Sequence, residues 1–97
     1  MTFDSTEVDR DAIVSETTPP FQFKARDGHA VATFVVDSTG RADLHTLSVT
    51  SADTALARAI RRFLPTARFR PAMIGECRVR VWARWPFDVV GSQGVSM

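Results

Sequence analysis

Nine consecutive residues, Cys77-Arg78-Val79-Arg80-Val81-Trp82-Ala83-Arg84-Trp85, place their charged side chains at every second position except one, which holds Trp82. Successive side chains of a strand point to opposite faces, so this run specifies a half-buried strand. It excludes a helix, whose apolar positions recur every three or four residues. Cys77, Val79, Val81, Ala83 and Trp85 share the inward face, and Arg78, Arg80, Trp82 and Arg84 share the outward one. On the inward parity Cys77 reads as a small buried thiol. Pro86-Phe87 is expected to close the strand.

Such a strand needs partners beside it and a cover for its apolar face, and the rest of the chain supplies both. Ala30 to Val36 is dense in β-branched and aromatic residues and reads as a strand. Asp37-Ser38-Thr39-Gly40 follows with aspartate first and glycine fourth, as a type I turn prefers. The chain then returns over Arg41 to Val49, where the apolar parity changes and predicts a bulge near His45-Thr46. A helix is expected next, capped by Ser51 or Asp53, with Leu56, Ala59, Ile60, Phe63 and Leu64 on one face and Pro65 as its stop. Arg58, Arg61 and Arg62 lie off that face and read as a solvated surface that suits the negative helix end. Phe69-Arg70-Pro71-Ala72 is an extended connector, and Gly75 turns the chain into the alternating strand.

The order strand, strand, helix, strand predicts an α+β fold of β-β-α-β type. Its sheet is expected to have three antiparallel strands in the order 2-1-3, with one helix packed on one face. The folded body is expected over residues 21–90. Residues 1–20 end in Pro19-Pro20 and read as a flexible leader, and residues 91–97 read as a flexible tail. The leader carries Asp4, Glu7, Asp9, Asp11 and Glu16 against Arg10, a balance of –4. The remainder holds six acids and eleven bases, a balance of +5. A negative leader joined to a positive body can screen it in cis.

The 97 residues bound the chain to one small domain. Charge-free runs are too short to cross a bilayer, and the start lacks the basic and apolar regions of a secretory signal, so neither is expected. A single cysteine leaves no intramolecular disulfide and no multi-cysteine zinc site. His29 and His45 have no second ligand at a metal spacing, no nucleophile motif surrounds any serine, and the glycines form no phosphate loop. We therefore expect no enzyme, no metal and no cofactor.

Taken in order, Val35 to Arg41, a helix ending in arginines, Arg68-Phe69-Arg70-Pro71-Ala72, a glycine, an alternating strand and Trp85-Pro86-Phe87 resemble the C-terminal domain of TonB-type energy transducers over about residues 28–90. Asp37 and Gly40 match the family's hairpin turn, Phe69, Pro71 and Ala72 its Phe-x-Pro-Ala connector, Gly75 the turn before the last strand, and Pro86 and Phe87 that strand's close. The family's Tyr-Pro pair and its Ser-Ser-Gly ahead of the helix are replaced by Pro20-Phe21 and Thr50-Ser51-Ala52. A full transducer also has a membrane anchor and a proline-rich spacer. Lacking both, this sequence is expected to be a fragment or a short relative with another task.

The resemblance implies a periplasmic peptide-binding module. Its last strand would recruit a TonB-box-like segment of an outer-membrane receptor as an added strand, for energy-coupled transport. The residues it nominates are Arg78, Arg80, Val81, Trp82 and Arg84. Two other readings stand beside it. Arginines around Trp82 also suit a single nucleic-acid strand, although the body has one lysine and no ribonucleoprotein-type aromatic motif, which makes nucleic acid the weaker expectation. Alternatively, the free edges seal by self-association into a homodimer.

Overall fold

The structure, a computed structural model, describes residues 2–18, 21, 28–90 and 94–95. Two short strands come first, β1 (Thr2–Phe3) and β2 (Ile13–Val14), and a hairpin follows, β3 (Gly28–Val36) and β4 (Ala42–Ser51). Then come helix α1 (Thr54–Phe63), the short strands β5 (Phe69–Arg70) and β6 (Ala72–Ile74), the long β7 (Cys77–Val90) and β8 (Gly94–Val95). The architecture is α+β, with one α-helix among the described residues and a mixed sheet.

The hairpin forms because its turn satisfies itself. Gly40 N–H donates to the Asp37 carbonyl at 3.0 Å, and Asp37 Oδ1 accepts from Thr39 N–H, Thr39 Oγ1 and Arg41 N–H. Gly40 holds φ +85°, and a Cβ there would lie 2.3 Å from the Phe69 carbonyl oxygen. Phe69 N–H in turn donates to the Gly40 carbonyl at 2.9 Å. Thus the turn and the Phe-Arg-Pro-Ala connector, far apart in sequence, are one structural unit.

The parity change in β4 has a physical device behind it. Pairing runs from Thr33↔Ser48 to Val35↔Asp43, so Phe34 alone stands against residues 44–47. Thr46 fills the gap: its Oγ1 accepts from Val35 N–H at 2.9 Å and donates to the Asp43 carbonyl at 2.7 Å. A side chain here replaces a missing ladder partner.

Asp53 caps α1, accepting from Ala55 N–H at 2.9 Å and Leu56 N–H at 3.2 Å. Ser51, the other candidate, instead ties the helix entry to β3 by donating to the His29 carbonyl. Leu56 and Ile60, one helical turn apart, are buried against Ala30, Ala32, Phe34, Val36 and Val81. Pro65 ends the helix in a 3-10 turn over Leu64–Thr66.

The sheet runs in the order β1-β7-β3-β4, with β6 and β8 also paired to β7. The expected three-stranded antiparallel sheet is therefore too small. This one has six strands, and β1 joins parallel. Strands of two or three residues carry no periodicity, which is why the pattern did not announce them. Nor does Pro86 end the last strand. It pairs with Val31 inside a β3–β7 ladder that continues to Val89.

Residues 2–18, which the sequence reads as a flexible leader, make backbone pairings with the body. β1 pairs with Arg80–Val81, β2 with Phe69–Arg70, and Arg10 exchanges backbone hydrogen bonds with Met73. Gly75 N–H donates to Asp9 Oδ2 at 2.5 Å, and Thr18 Oγ1 both donates to the Arg68 carbonyl and accepts from Arg68 N–H. The Pro19-Pro20 boundary lies outside the described residues. So does most of the 91–97 tail, of which Gly94–Val95 pairs with Val89–Val90.

Candidate functional site

The arginine-rich strand has two sides, and its partners identify them. Val81 pairs with Val36 of β3 and also with Phe3 of β1, so β1 lies on the side of β7 away from β3. Val89 pairs with Gly28 and with Val95, which puts β8 on that same outer side. Between them, Ala83 to Asp88 have no strand on the outer side among the described residues.

Backbone direction along this stretch follows from one hydrogen bond. Val35 N–H points toward β4, to Thr46 Oγ1. Opposite residues of an antiparallel pair either exchange both bonds or neither. Val35 is therefore not bonded to its partner Trp82, whose own N–H points outward. By alternation Arg84 and Asp88 also direct their N–H groups outward, and Pro86 places its nitrogen where no ladder bond is lost. The proline is tolerated for that reason, and it leaves a gap in the row of outward donors.

The nominated residues divide. Arg78 and Arg84 are exposed and form no ion pair with described residues. Arg80 is half-buried: its Nη2 bonds Asp43 Oδ2 at 2.8 Å and its Nε reaches Thr2 Oγ1 at 3.4 Å. That ion pair and the His45 N–H hold the Asp43 carboxyl below its ordinary range. Val81 is fully buried in the core and offers a partner no side-chain surface. Trp82 is 40% exposed on the face opposite α1. Cys77, expected inside, is exposed, because it adjoins the Gly75-Glu76 turn, beyond the reach of the β3–β7 ladder.

Three features on and around the edge strand were not legible in the sequence. His29 Nδ1 lies 2.5 Å from Asp88 Oδ1 across the β3–β7 ladder, so the edge carries a base at Arg84 and an acid at Asp88. On the α1 side, Trp85 and Phe87 stack with centroids 4.9 Å apart, and Phe63 and Phe21 pack edge-on against them. Phe21, Phe63, Ala59 and Arg62 line an open groove of about 300 Å³ on α1, not on the β7 edge. Correct register would have paired His29 with Asp88, but the register depended on the unforeseen length of β7.

Among the described residues no three His, Cys, Asp or Glu side chains come together as metal ligands, and no helix is long and apolar enough to cross a membrane. No family model and no curated protein matches the chain.

Proposed function

We propose that this chain is a non-catalytic peptide-binding module in which β4, β3, β7 and α1 form a unit of the TonB C-terminal type. The strands β1, β2, β5, β6 and β8 are additions to that unit. Its partner is an extended, TonB-box-like segment of an outer-membrane receptor, taken in the periplasm by strand addition. The observation that carries this reading is the outer side of β7 from Ala83 to Asp88, unpaired between two short strands among the described residues. Outward N–H and carbonyl groups supply affinity without regard to sequence, and side chains at alternate positions supply selectivity. Arg84 favours an acidic residue beside it, and Trp82 gives an apolar surface next to it. The opposite charge at Asp88 sets which way round such a peptide fits.

Titrating receptor-derived plug peptides into the isotope-labelled chain tests this reading. The expected result is that the amides of Arg84, Trp85, Phe87 and Asp88 shift and that Arg84→Glu weakens binding about tenfold, because the bound peptide would desolvate a charge contact that is exposed in the free chain. Oligothymidylate serves as the opposing probe. Shifts with the oligonucleotide and none with any peptide would move the assignment to single-stranded nucleic acid. Concentration-dependent shifts at the same amides without ligand would move it to self-association.

A further inference from the structure

We propose that Thr2–Phe3 is a built-in competitor strand, which occupies the start of the docking edge until a partner displaces it. The inference rests on the strand-addition reading for its consequence. Its structural basis is separate.

β1 lies on the outer side of β7, in line with the open stretch, in parallel register Thr2↔Arg80 and Phe3↔Val81. Its ladder is two residues long, against nine pairs between β3 and β7. The next residues, Asp4 to Glu7, form an exposed turn that closes on itself, with Glu7 Oε1 accepting from Asp4 N–H, and this turn packs against β7. Firm anchoring begins only later, where Asp9 accepts from Gly75 N–H and Arg10 pairs with Met73. A short ladder upstream of an independent anchor can open without unfolding the rest.

The chemistry of this segment is also that of the expected partner. It is an extended piece with an apolar residue, Phe3, followed by the acids Asp4 and Glu7 beside an arginine-bearing strand. The contact of Thr2 Oγ1 with Arg80 Nε is long, at 3.4 Å, and would be given up on release. Release lengthens the open edge from Ala83–Asp88 to Arg80–Asp88.

The test compares the full chain with its Thr2→Pro/Phe3→Pro double variant, which removes both β1 N–H groups and with them the one that faces β7. Two probes are used: a synthetic copy of residues 1–8, and an octapeptide of alternating glutamate and valine. The double variant should bind both at least tenfold more tightly than the parent, with the copy shifting the amides of Arg80 to Trp82. Equal affinity of parent and variant for the octapeptide overturns the competitor role and leaves strand addition standing. No octapeptide binding to either chain, while the copy still reoccupies Arg80–Val81 in the variant, supports the exchangeable strand and overturns strand addition. Failure of the copy to bind the variant overturns the exchangeable strand itself. If the variant does not fold, hydrogen exchange on the parent decides: the Phe3 amide should exchange at least a hundredfold faster than those of β3. Equal protection would mean that β1 opens only with the whole domain, and the inference fails.

Discussion

At Asp37, burial raises the carboxyl's pKa, but the hydrogen bonds from Thr39 Oγ1, Arg41 N–H and Thr39 N–H outweigh it and hold the group below its ordinary value. A carboxyl lowered in the folded state stabilises fully above its unfolded value near 3.8, and the contribution is lost as pH falls through the lowered folded value. Asp37→Ala should therefore cost about 1–2 kcal/mol at neutral pH, as expected for losing hydrogen bonds to a carboxylate. In acid the parent and the variant should converge, and denaturant midpoints across the acid range would show it; a constant gap would place the stabilisation elsewhere. Gly40→Ala should cost about 2–4 kcal/mol, because a left-handed backbone and a clash with the Phe69 carbonyl act together. Denaturant unfolding reads this directly, and a parent-like midpoint would mean that the connector can shift away. The turn was legible in the sequence because Asp37 and Gly40 act locally. Its contact with Phe69 was not, because no local pattern reports where a distant carbonyl will sit.

On the scale of elements, α1 was legible because Leu56 and Ile60 repeat at helical spacing and Asp53 marks its start. The weight of Phe63 was not. The sequence sets it beside Leu56 and Ile60 as an equal core residue, yet it is half-buried and packs sideways into the Phe21–Trp85–Phe87 cluster. Ile60→Ala should consequently cost about 2–5 kcal/mol, while Phe63→Ala should cost less, because open space on one side limits the cavity it leaves. Chemical denaturation of the two variants orders them, and a larger loss at Phe63 would show the aromatic cluster to be the true core. β7 was legible as far as Trp85, where alternation is strict. Its continuation through Pro86 depends on which side the proline nitrogen faces, and that is fixed only by pairing with β3.

Across the whole molecule, the acidic leader is attached differently from what its charge suggests. Among the described residues none of its acids pairs with an arginine; Asp9 accepts from a backbone N–H, as do Glu7 and Asp11. Charge imbalance is visible in a sequence at once, whereas backbone exchange such as Arg10 with Met73 leaves no compositional trace. Two consequences separate these attachments. An electrostatic clasp would loosen as salt shortens the screening length from about 10 Å toward 3 Å, whereas a backbone clasp would not. Deleting residues 1–18 would strip partners from the N–H groups of Arg68, Met73 and Gly75 and uncover the core beside Val8 and Ala12. Each lost hydrogen bond is worth about 0.5–1.5 kcal/mol net, so these three alone cost about 2–4 kcal/mol and the deletion should cost at least that. In a domain of this size that lowers the melting temperature by roughly 4–8 °C for each kcal/mol. The full chain's melting temperature should meanwhile move little with added salt. A deletion that melts like the parent would restore the flexible leader, and a full chain that loosens steeply with salt would restore the electrostatic one.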